Sequence, residues 1–418
     1  MSLFREWWYI GLVSFGGPGA HLGLFEEKFV GSLKISGRKF SEFLAMCSIL
    51  PGPTSTQLAT CIGAHSSRGG VLGGLNAFLC FSLPGLLIMT FAGLVAISGV
   101  ETPWLASSSL DLLRKWIDCG ALSIVTVAAV ALLRKTCNYE IGLYLLAIFA
   151  AGVSIQPNLR SFVYPVICIV CGVLSEVAHR VGKWLFGRTR VRSHMLIPFL
   201  ELKKDESPVS QFGSLCAFGA IFLIGISAYF SHSRLLMDMF STGMFVFGGG
   251  SVAVPFLHSA LVGAGLVSTR AFFTALSLMY ICPGPMFNVS MYLGIIVAGT
   301  VQYGLACWVC MMLPGFLLVL FILPWWRSFQ SILTERMPLF MDGLNAGACG
   351  LLIGAAIQLW KSFEPFHLIG VLTVFVGIVA EIIGHVQPHF VLLGALGLGI
   401  VDLQLFNLTG ADLMAVPH

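Results

Sequence analysis

The sequence predicts an all-α polytopic membrane protein, on the strength of its composition, its apolar segments and an internal repeat. Of 418 residues, 57% are hydrophobic and only 10% are charged, against roughly a quarter charged in an ordinary soluble domain. Several apolar stretches approach the roughly 20 residues that a helix needs to cross a bilayer. They are residues 70–97, 121–133, 141–153, 212–230, 305–323, 344–359 and 368–383. The lipid bilayer is therefore the expected environment of most of the chain.

An internal repeat divides the chain into two homologous halves. The segment Phe15-Gly16-Gly17-Pro18 matches Phe247-Gly248-Gly249-Gly250, and Pro51-Gly52-Pro53 matches Pro283-Gly284-Pro285 at the same offset. Further pairs fall in the same order along the two halves: Arg38 with Arg270, Leu83-Pro84-Gly85 with Leu313-Pro314-Gly315, and Asp118 with Asp342. Such an ordered series indicates two transporter repeats.

The predicted organisation has four parts. They are an N-terminal transporter repeat (1–178), a basic linker (179–211), an extra transmembrane helix with a loop (212–238), and a C-terminal transporter repeat (239–418). The linker is rich in arginine and lysine, so the positive-inside rule places it and the N-terminus in the cytoplasm. We interpret it as a solvated connection and expect no nucleic-acid partner. The extra helix inverts the second repeat if each repeat has an even number of spans.

Each repeat is expected to begin with two broken helical segments, followed by about four transmembrane helices. A glycine-rich motif or Pro-Gly-Pro lies near the centre of each opening apolar stretch, so each arm is only about half a membrane long. Such stretches either cross the bilayer fully or form re-entrant hairpins, and the lysine and arginine distribution favours hairpins. One hairpin that crossed fully would instead make the repeats parallel.

The Pro-Gly-Pro motifs are the predicted centre of a ligand site. Proline and glycine interrupt a helix and leave peptide groups unpaired, which lipid tolerates only beside protein or a wet cavity. A helix that restarts after the break offers free N–H groups and its positive dipole end to an anion. Seven candidate ligand residues follow from this in the first half: Pro51, Gly52, Pro53, Thr54, Ser55, Thr56 and Gln57. A proline kink with back-bonded hydroxyls is the alternative.

The second half carries a poorer set of donors at its break. Pro283, Gly284 and Pro285 are followed by Met286 and Phe287, with Asn288 as the one polar candidate in that stretch. The glycine clusters either allow close helix packing or cradle an anion with backbone amides: Gly16, Gly17, Gly248, Gly249 and Gly250. His21 is either a titratable donor or a packed neutral histidine, and Ala253 replaces it in the second half.

Charged residues outside the breaks have other candidate roles. Arg38 and Arg270 either attract and gate an anion or contact lipid headgroups. Four acidic residues are candidates for ion coupling, of which the two aspartates alternatively cap helices: Glu26, Glu27, Asp118 and Asp342. The Cys-x-x-Cys pairs stand in apolar context without histidines, so no metal site and no cofactor is predicted.

These motifs resemble those of the chromate ion transporter family. The resemblance rests on Phe-Gly-Gly-Pro-x-Ala-His at 15–21, Leu-Pro-Gly-Pro-Thr-Ser-Thr-Gln at 50–57 and Leu-Pro-Gly at 83–85. In the second half it rests on Phe-Gly-Gly-Gly at 247–250 and Pro-Gly-Pro at 283–285. It implies a long-chain member with two fused homologous domains of opposite orientation. It also implies export of chromate from the cytoplasm, with sulfate as the structural analogue.

The expected function is transport of a tetrahedral oxyanion such as chromate, with sulfate as substrate or competitor. Alternating access would follow from rocking one repeat against the other, and an oxyanion-selective channel is the alternative. The chain has no His-Glu-x-x-His zinc motif and no Gly-x-Ser-x-Gly elbow, so an enzyme is not expected. We expect an integral protein of the plasma or inner membrane, and a homodimer is left open.

Overall fold

The computed structural model describes twelve ranges of the chain: residues 2–15, 17–30, 35–66, 69–98, 108–137, 140–156, 163–186, 209–246, 253–331, 339–362, 368–384 and 386–414. Regular structure in these ranges is helical throughout, without a β-strand. The predicted all-α class is therefore confirmed. Most of the basic linker, residues 187–208, lies outside the described residues.

The first half opens with short helices and continues with long ones. Its short helices are α1 (Ser2–Val13), α2 (Pro18–Phe25), α3 (Gly37–Ile49) and α4 (Thr54–His65). A π-helical segment, Glu26–Val30, extends α2. The helices that follow are α5 (Gly70–Ile97), α6 (Ser108–Cys137), α7 (Ile141–Ser154) and α8 (Val163–Phe186). The extra helix between the halves is α9 (Gln211–Phe230).

The second half has a similar order of elements, with one additional short helix. Its short helices are α10 (Arg234–Phe245), α11 (Ala253–Leu257), α12 (Thr269–Ile281) and α13 (Val289–Ala298). A π-helical segment extends α11 over His258–Val262, and a 3-10 turn over Met286–Asn288 precedes α13. The helices that follow are α14 (Val301–Ile322), α15 (Trp326–Ser331), α16 (Phe340–Ser362), α17 (Leu368–Ile382) and α18 (Pro388–Met414).

Four helices in the described part of the chain are long and apolar enough to cross a membrane: Gly70–Ile97, Gln211–Phe230, Val301–Trp325 and Phe340–Lys361. The helices beside the breaks are much shorter. A helix of 12 residues, such as α1, α4 or α10, spans about 18 Å at 1.5 Å per residue. That is well below the roughly 30 Å of a hydrocarbon core, so each arm reaches only part of the way across.

Matching serines begin the second short segment of each half. Ser36 accepts a hydrogen bond from Lys39 N at the start of α3, and Ser268 accepts one from Ala271 N at the start of α12, each over 3.2 Å. A side-chain oxygen in this position satisfies one of the free amides of a helix end. The sequence signal for these helix starts is therefore the serine that stands two residues before each matched arginine, Arg38 and Arg270.

The long helices of the two halves pack crosswise. In the part that we call the flanking bundle (α6 to α8 and α16 to α18), α16 packs against α7 and α8, whereas α6 packs against α17 and α18. Small residues make these contacts close: a Cβ on Gly350 would collide with Ala147 O, and one on Gly120 would lie 2.9 Å from Leu392 Cδ2. Helix α16 of the second half thus packs with bundle helices of the first half, and α6 of the first half packs with those of the second.

This packing bears on the expectation that one repeat rocks against the other, which stays a prediction. Separating the halves as rigid bodies would break the contacts of α6 and α16 with their partner helices, and buried apolar contacts are costly to lose. We call the helices α1 to α5 and α10 to α14 the central unit. They pack mainly on one another, except that α11 also packs on α16 and α12 also packs on α6 and α18.

Candidate functional site at two helix breaks

The two Pro-Gly-Pro breaks are held by reciprocal hydrogen bonds between the halves. Gly52 N donates to Val246 O over 2.7 Å, and Gly284 N donates to Ser14 O over 2.9 Å. Gly52 and Gly284 have φ of 114° and 86°, a region that favours glycine. Ser14 and Val246 lie at matching positions directly before the glycine-rich motifs. Each break is therefore fastened to the interrupted first helix of the opposite half.

The Leu-Pro-Gly motifs make room for the breaks. A Cβ on Gly85 in α5 would collide with Pro283 O, and one on Gly315 in α14 would lie 2.7 Å from Pro53 Cδ. Accordingly, α13 packs on α5 and α4 packs on α14. Only glycine lets the backbone of a long helix approach the opposite break this closely. The third matched motif is thus part of the same construction.

The first break presents the open amino end of α4. The first hydrogen bond of α4 runs from Gln57 N to Pro53 O over 2.9 Å, so the amides of the three residues before Gln57 precede the helical ladder. No side chain caps this end. Thr56 is fully buried, and its Oγ1 has no hydrogen-bond partner among the described residues. Ser55 is also buried, whereas Thr54 is half-buried.

The Gln57 side chain forms hydrogen bonds across the turn of the first break. Its Nε2 donates to Pro51 O over 2.7 Å and reaches Gly315 O at 3.4 Å. The side chain is fully buried, so these bonds fix the turn around Gly52. The sequence placed Gln57 among the ligand residues, and a ligand role stays a prediction. Its amide nitrogen, however, is already engaged by the protein.

The second break is filled by protein contacts. Asn288 Nδ2 donates to Ser82 O over 2.9 Å, and Trp308 Nε1 donates to Asn288 Oδ1 over 2.8 Å. Both ends of this buried amide are therefore occupied. Met286 and Phe287 are buried beside it. We infer that Asn288 stabilises the break, and its predicted role as a ligand remains a prediction.

The first glycine motif lies against the second break. Gly17 precedes α2 with φ of 79°, and a Cβ on it would lie 3.6 Å from Met286 Sδ. His21 Nε2 lies 3.1 Å from Ser14 O, the carbonyl that also accepts from Gly284 N. Gly17 and His21 thus join the second break, while α2 also packs on α4. The other predicted glycines lie outside the described residues: Gly16, Gly248, Gly249 and Gly250.

The charged candidates lie away from the breaks. Arg38 is exposed and is the second residue of α3, whose other end meets the break. Arg270 is the second residue of α12; its side chain lies outside what the structure describes. Glu26 and Glu27 are exposed on the π-helical segment, at the far end of α2 from its glycine motif.

The two matched aspartates differ in placement. Asp342 is buried in the first turn of α16, where a carboxylate favours the positive end of the helix dipole. Asp118 lies well inside the 30-residue helix α6, so the alternative that it caps a helix is wrong. Neither residue belongs to the short helices that form the breaks.

Sequence reasoning missed the carbonyl and glycine partners that each break receives from the other half. Ser14, Val246, Ser82 and Trp308 gave no signal of a contact with a break, because a repeat reveals equivalent positions and not which half supplies a neighbour. The Leu-Pro-Gly pair was the one available hint, since it repeats in both halves without a chemical role of its own.

Comparison with known proteins identifies the family of the chain. The family model described as Chromate transporter matches residues 1–175 and 233–400, which together make up most of the chain. The chain belongs to the chromate transporter family. The protein transports ions across a membrane as an integral membrane protein, as its family and its apolar helices show.

Curated relatives are similar over most of their length. The chain is 25% identical over 373 residues to "Chromate transport protein" of Pseudomonas aeruginosa, covering 86% of this chain and 80% of the relative. It is 26% identical over 361 residues to the protein of the same name from Cupriavidus metallidurans, covering 84% and 80%. For "Probable chromate transport protein" of Synechococcus elongatus the figures are 24% over 369 residues, covering 87% and 86%. No solved structure matches the chain.

Proposed function

We propose that this transporter carries a tetrahedral oxyanion such as chromate out of the cytoplasm, with the first break as its binding site. The observation that carries the proposal is the uncapped, buried amino end of α4 with the unpartnered Thr56 Oγ1 beside it. Free amides and the positive dipole end of a helix bind anions. The names of the curated relatives support chromate as the substrate.

The chemistry of this site selects charge and shape. Backbone amides of residues 54–56 and the Thr56 hydroxyl are neutral donors, and neutral donors hold an oxyanion without trapping it as a fixed cation would. Chromate and sulfate share a charge of −2 and a tetrahedral shape, so such donors distinguish them weakly. Sulfate is therefore proposed as a competitor or second substrate.

Export needs no further energy source than the membrane potential. Moving one charge across the membrane is worth about 2.3 kcal/mol per 100 mV, and a dianion leaving a negative interior gains twice that amount. The direction from the cytoplasm outward is thus electrically downhill. This supports efflux as the proposed direction.

Inverted repeats with re-entrant hairpins are proposed as the basis of alternating access. The reciprocal bonds at Gly52 and Gly284 and the half-length helices support that arrangement. The moving parts would be the central unit and the flanking bundle, for the packing reason given above. A channel would share the same breaks, and flux far above about 10³ ions per second, the upper range of typical turnover numbers, would favour it.

Two threonines on one helix test the binding site. Thr56→Val removes the unpartnered hydroxyl, whereas Thr60→Val removes a hydroxyl that is already bonded to Thr56 O over 2.9 Å. A hydrogen bond to a charged group is worth about 1.5–3 kcal/mol, so T56V should weaken oxyanion affinity by about tenfold or more. T60V should change it less than twofold.

The measurement is uptake of radiolabelled chromate and sulfate into proteoliposomes, with and without an imposed potential. Size-exclusion profiles confirm that both variants are folded. Equal losses in T56V and T60V would remove Thr56 from the site. If neither oxyanion moves or competes in the unmodified protein, the substrate assignment fails.

Orientation is tested at matched helix starts. Arg38→Cys and Arg270→Cys place single thiols at the second residues of α3 and α12 in a background without other reactive cysteines. Inverted hairpins predict that an impermeant maleimide labels the two thiols from opposite faces of the membrane. Labelling of both from one face would show parallel repeats.

A further inference from the structure

His21 is a fully enclosed histidine with one free nitrogen. The side chain is 1% exposed. Its Nε2 lies 3.1 Å from Ser14 O, and because a carbonyl only accepts, Nε2 carries the hydrogen of the neutral ring. Nδ1 is then a lone-pair acceptor, and it has no hydrogen-bond partner among the described residues. Buried polar atoms are normally satisfied, so this one calls for an explanation.

The bond to Ser14 connects His21 with the second break. Ser14 O also accepts from Gly284 N over 2.9 Å, and Ser14 Oγ lies 3.2 Å from the same amide. The helix that carries His21, α2, packs on α4, whose amino end is the proposed anion site. His21 is therefore held by the second break on a helix that contacts the first.

The described contacts of the His21 ring are with uncharged groups. Its surroundings are Ser14 from α1 and the Phe81 ring from α5, whose centroid lies 5.3 Å away. The titratable groups on the neighbouring helices engage other partners: Cys61 faces Cys47, Cys80 lies at Asn76, His65 packs on Phe43, and Lys28 lies over Tyr9. Glu26 and Glu27 are exposed beyond the end of α2, and Glu6 lies on α1. Residues 50–65, which form the first break and α4, contain no lysine or arginine, so that segment offers a bound dianion no fixed cation.

We propose that His21 is the binding site of a proton that binds together with the oxyanion. The inference rests on the proposed function and names its coupling ion. A proton that leaves with the anion reduces the exported charge to −1, so the electrical gain becomes that of one charge. A proton from water adds to the Nδ1 lone pair while Nε2–H keeps its bond to Ser14 O, so no other bond breaks. The imidazolium offsets one of the two charges of the anion, which would otherwise be costly to bury. Ala253 stands at the matching position of the second half, so the repeat supplies one such group.

Linked binding makes a quantitative prediction. If one proton binds with each anion, affinity rises about tenfold for each unit of falling pH, over the range in which the anion-free site is unprotonated. Sulfate is the probe, because it stays a dianion across the range whereas chromate itself takes up a proton near neutrality. His21→Gln preserves a donor and an acceptor and cannot become charged. It should bind sulfate with pH-independent affinity.

The matched control is His258→Gln. His258 is likewise buried, with an unpartnered Nε2, but it lies on the π-helical segment after α11 and bonds Gln358. Affinity is measured between pH 5.5 and 8.5 by scintillation proximity with purified full-length protein. H258Q should keep the pH slope of the unmodified protein. A slope that persists in H21Q, or that is absent from the unmodified protein, would overturn the proposal.

A second readout follows the protonation of His21 directly. Imidazole resonances of the ¹⁵N-histidine-labelled full chain are titrated with and without sulfate, and H21Q identifies the signal of His21. Sulfate should shift that titration toward higher pH. If sulfate does not bind, the proposed function fails. If sulfate binds but leaves the His21 titration unchanged, the proposed function stands and the proton site is refuted.

Discussion

The two Pro-Gly-Pro breaks have the same backbone arrangement but differ in how their polar side chains are hydrogen-bonded. At both, a glycine with positive φ donates to the carbonyl before the other half's glycine motif. After the first break come buried residues with an unpartnered Thr56 hydroxyl, whereas at the second Asn288 is bonded by Ser82 and Trp308. The two interruptions thus share a backbone arrangement and differ in the bonding of Thr56 and Asn288.

The largest expected effect comes from disrupting the close packing of α5 against the second break. Gly85→Ala would force a Cβ onto Pro283 O, and overpacking against backbone costs about 3 kcal/mol or more. We expect little folded protein in detergent, measured by size-exclusion chromatography and thermal unfolding. Gly142→Ala is the control, because a Cβ there meets nothing within 4 Å. G142A should match or exceed the unmodified protein, and similar behaviour of both variants would contradict the role of Gly85.

A smaller loss of stability is expected when the Asn288 side chain is removed from the second break. Asn288→Ala leaves Ser82 O and Trp308 Nε1 buried without their partner, at a cost of about 2 kcal/mol. Thermal unfolding should show a lower midpoint, while the sulfate affinity of the folded fraction changes less than twofold. A strong loss of affinity at an unchanged midpoint would instead make Asn288 a ligand.

A double-mutant cycle tests the hydrogen bond between Asn288 and Trp308. Trp308→Phe removes the Nε1 donor and keeps most of the ring. The effects of N288A and W308F on the free energy of unfolding should be less than additive, because both variants remove the same hydrogen bond. Strictly additive effects would show that the pair contributes nothing to the second break.

The smallest expected effects concern the helix starts that the halves share. Ser36→Ala and Ser268→Ala each remove one N-terminal cap, which is worth about 1 kcal/mol. Equal small decreases in the unfolding midpoint are expected, with substrate affinity retained. A large loss in only one variant would show that the two segments are not equivalent in stability.

The breaks were predictable because their residue types act locally. Proline lacks an amide hydrogen and glycine accepts positive φ, so Pro51 to Pro53 and Pro283 to Pro285 had to interrupt their helices wherever they lay. The distinction between Thr56 and Asn288 was partly visible as a difference in donors. Their hydrogen-bond states were not, since the partners of Asn288 are far away in the chain.

The sequence by itself determined the all-α membrane class, the interruptions and the family, because composition, local backbone chemistry and motifs are all properties of short segments. Only the tertiary structure decided that each break is fastened by the other half, that α6 and α16 exchange partners, and that His21 reaches the second break through Ser14. These are contacts between distant segments of nearly equal sequence. A repeat specifies that such positions correspond, and packing alone selects which copy supplies the neighbour.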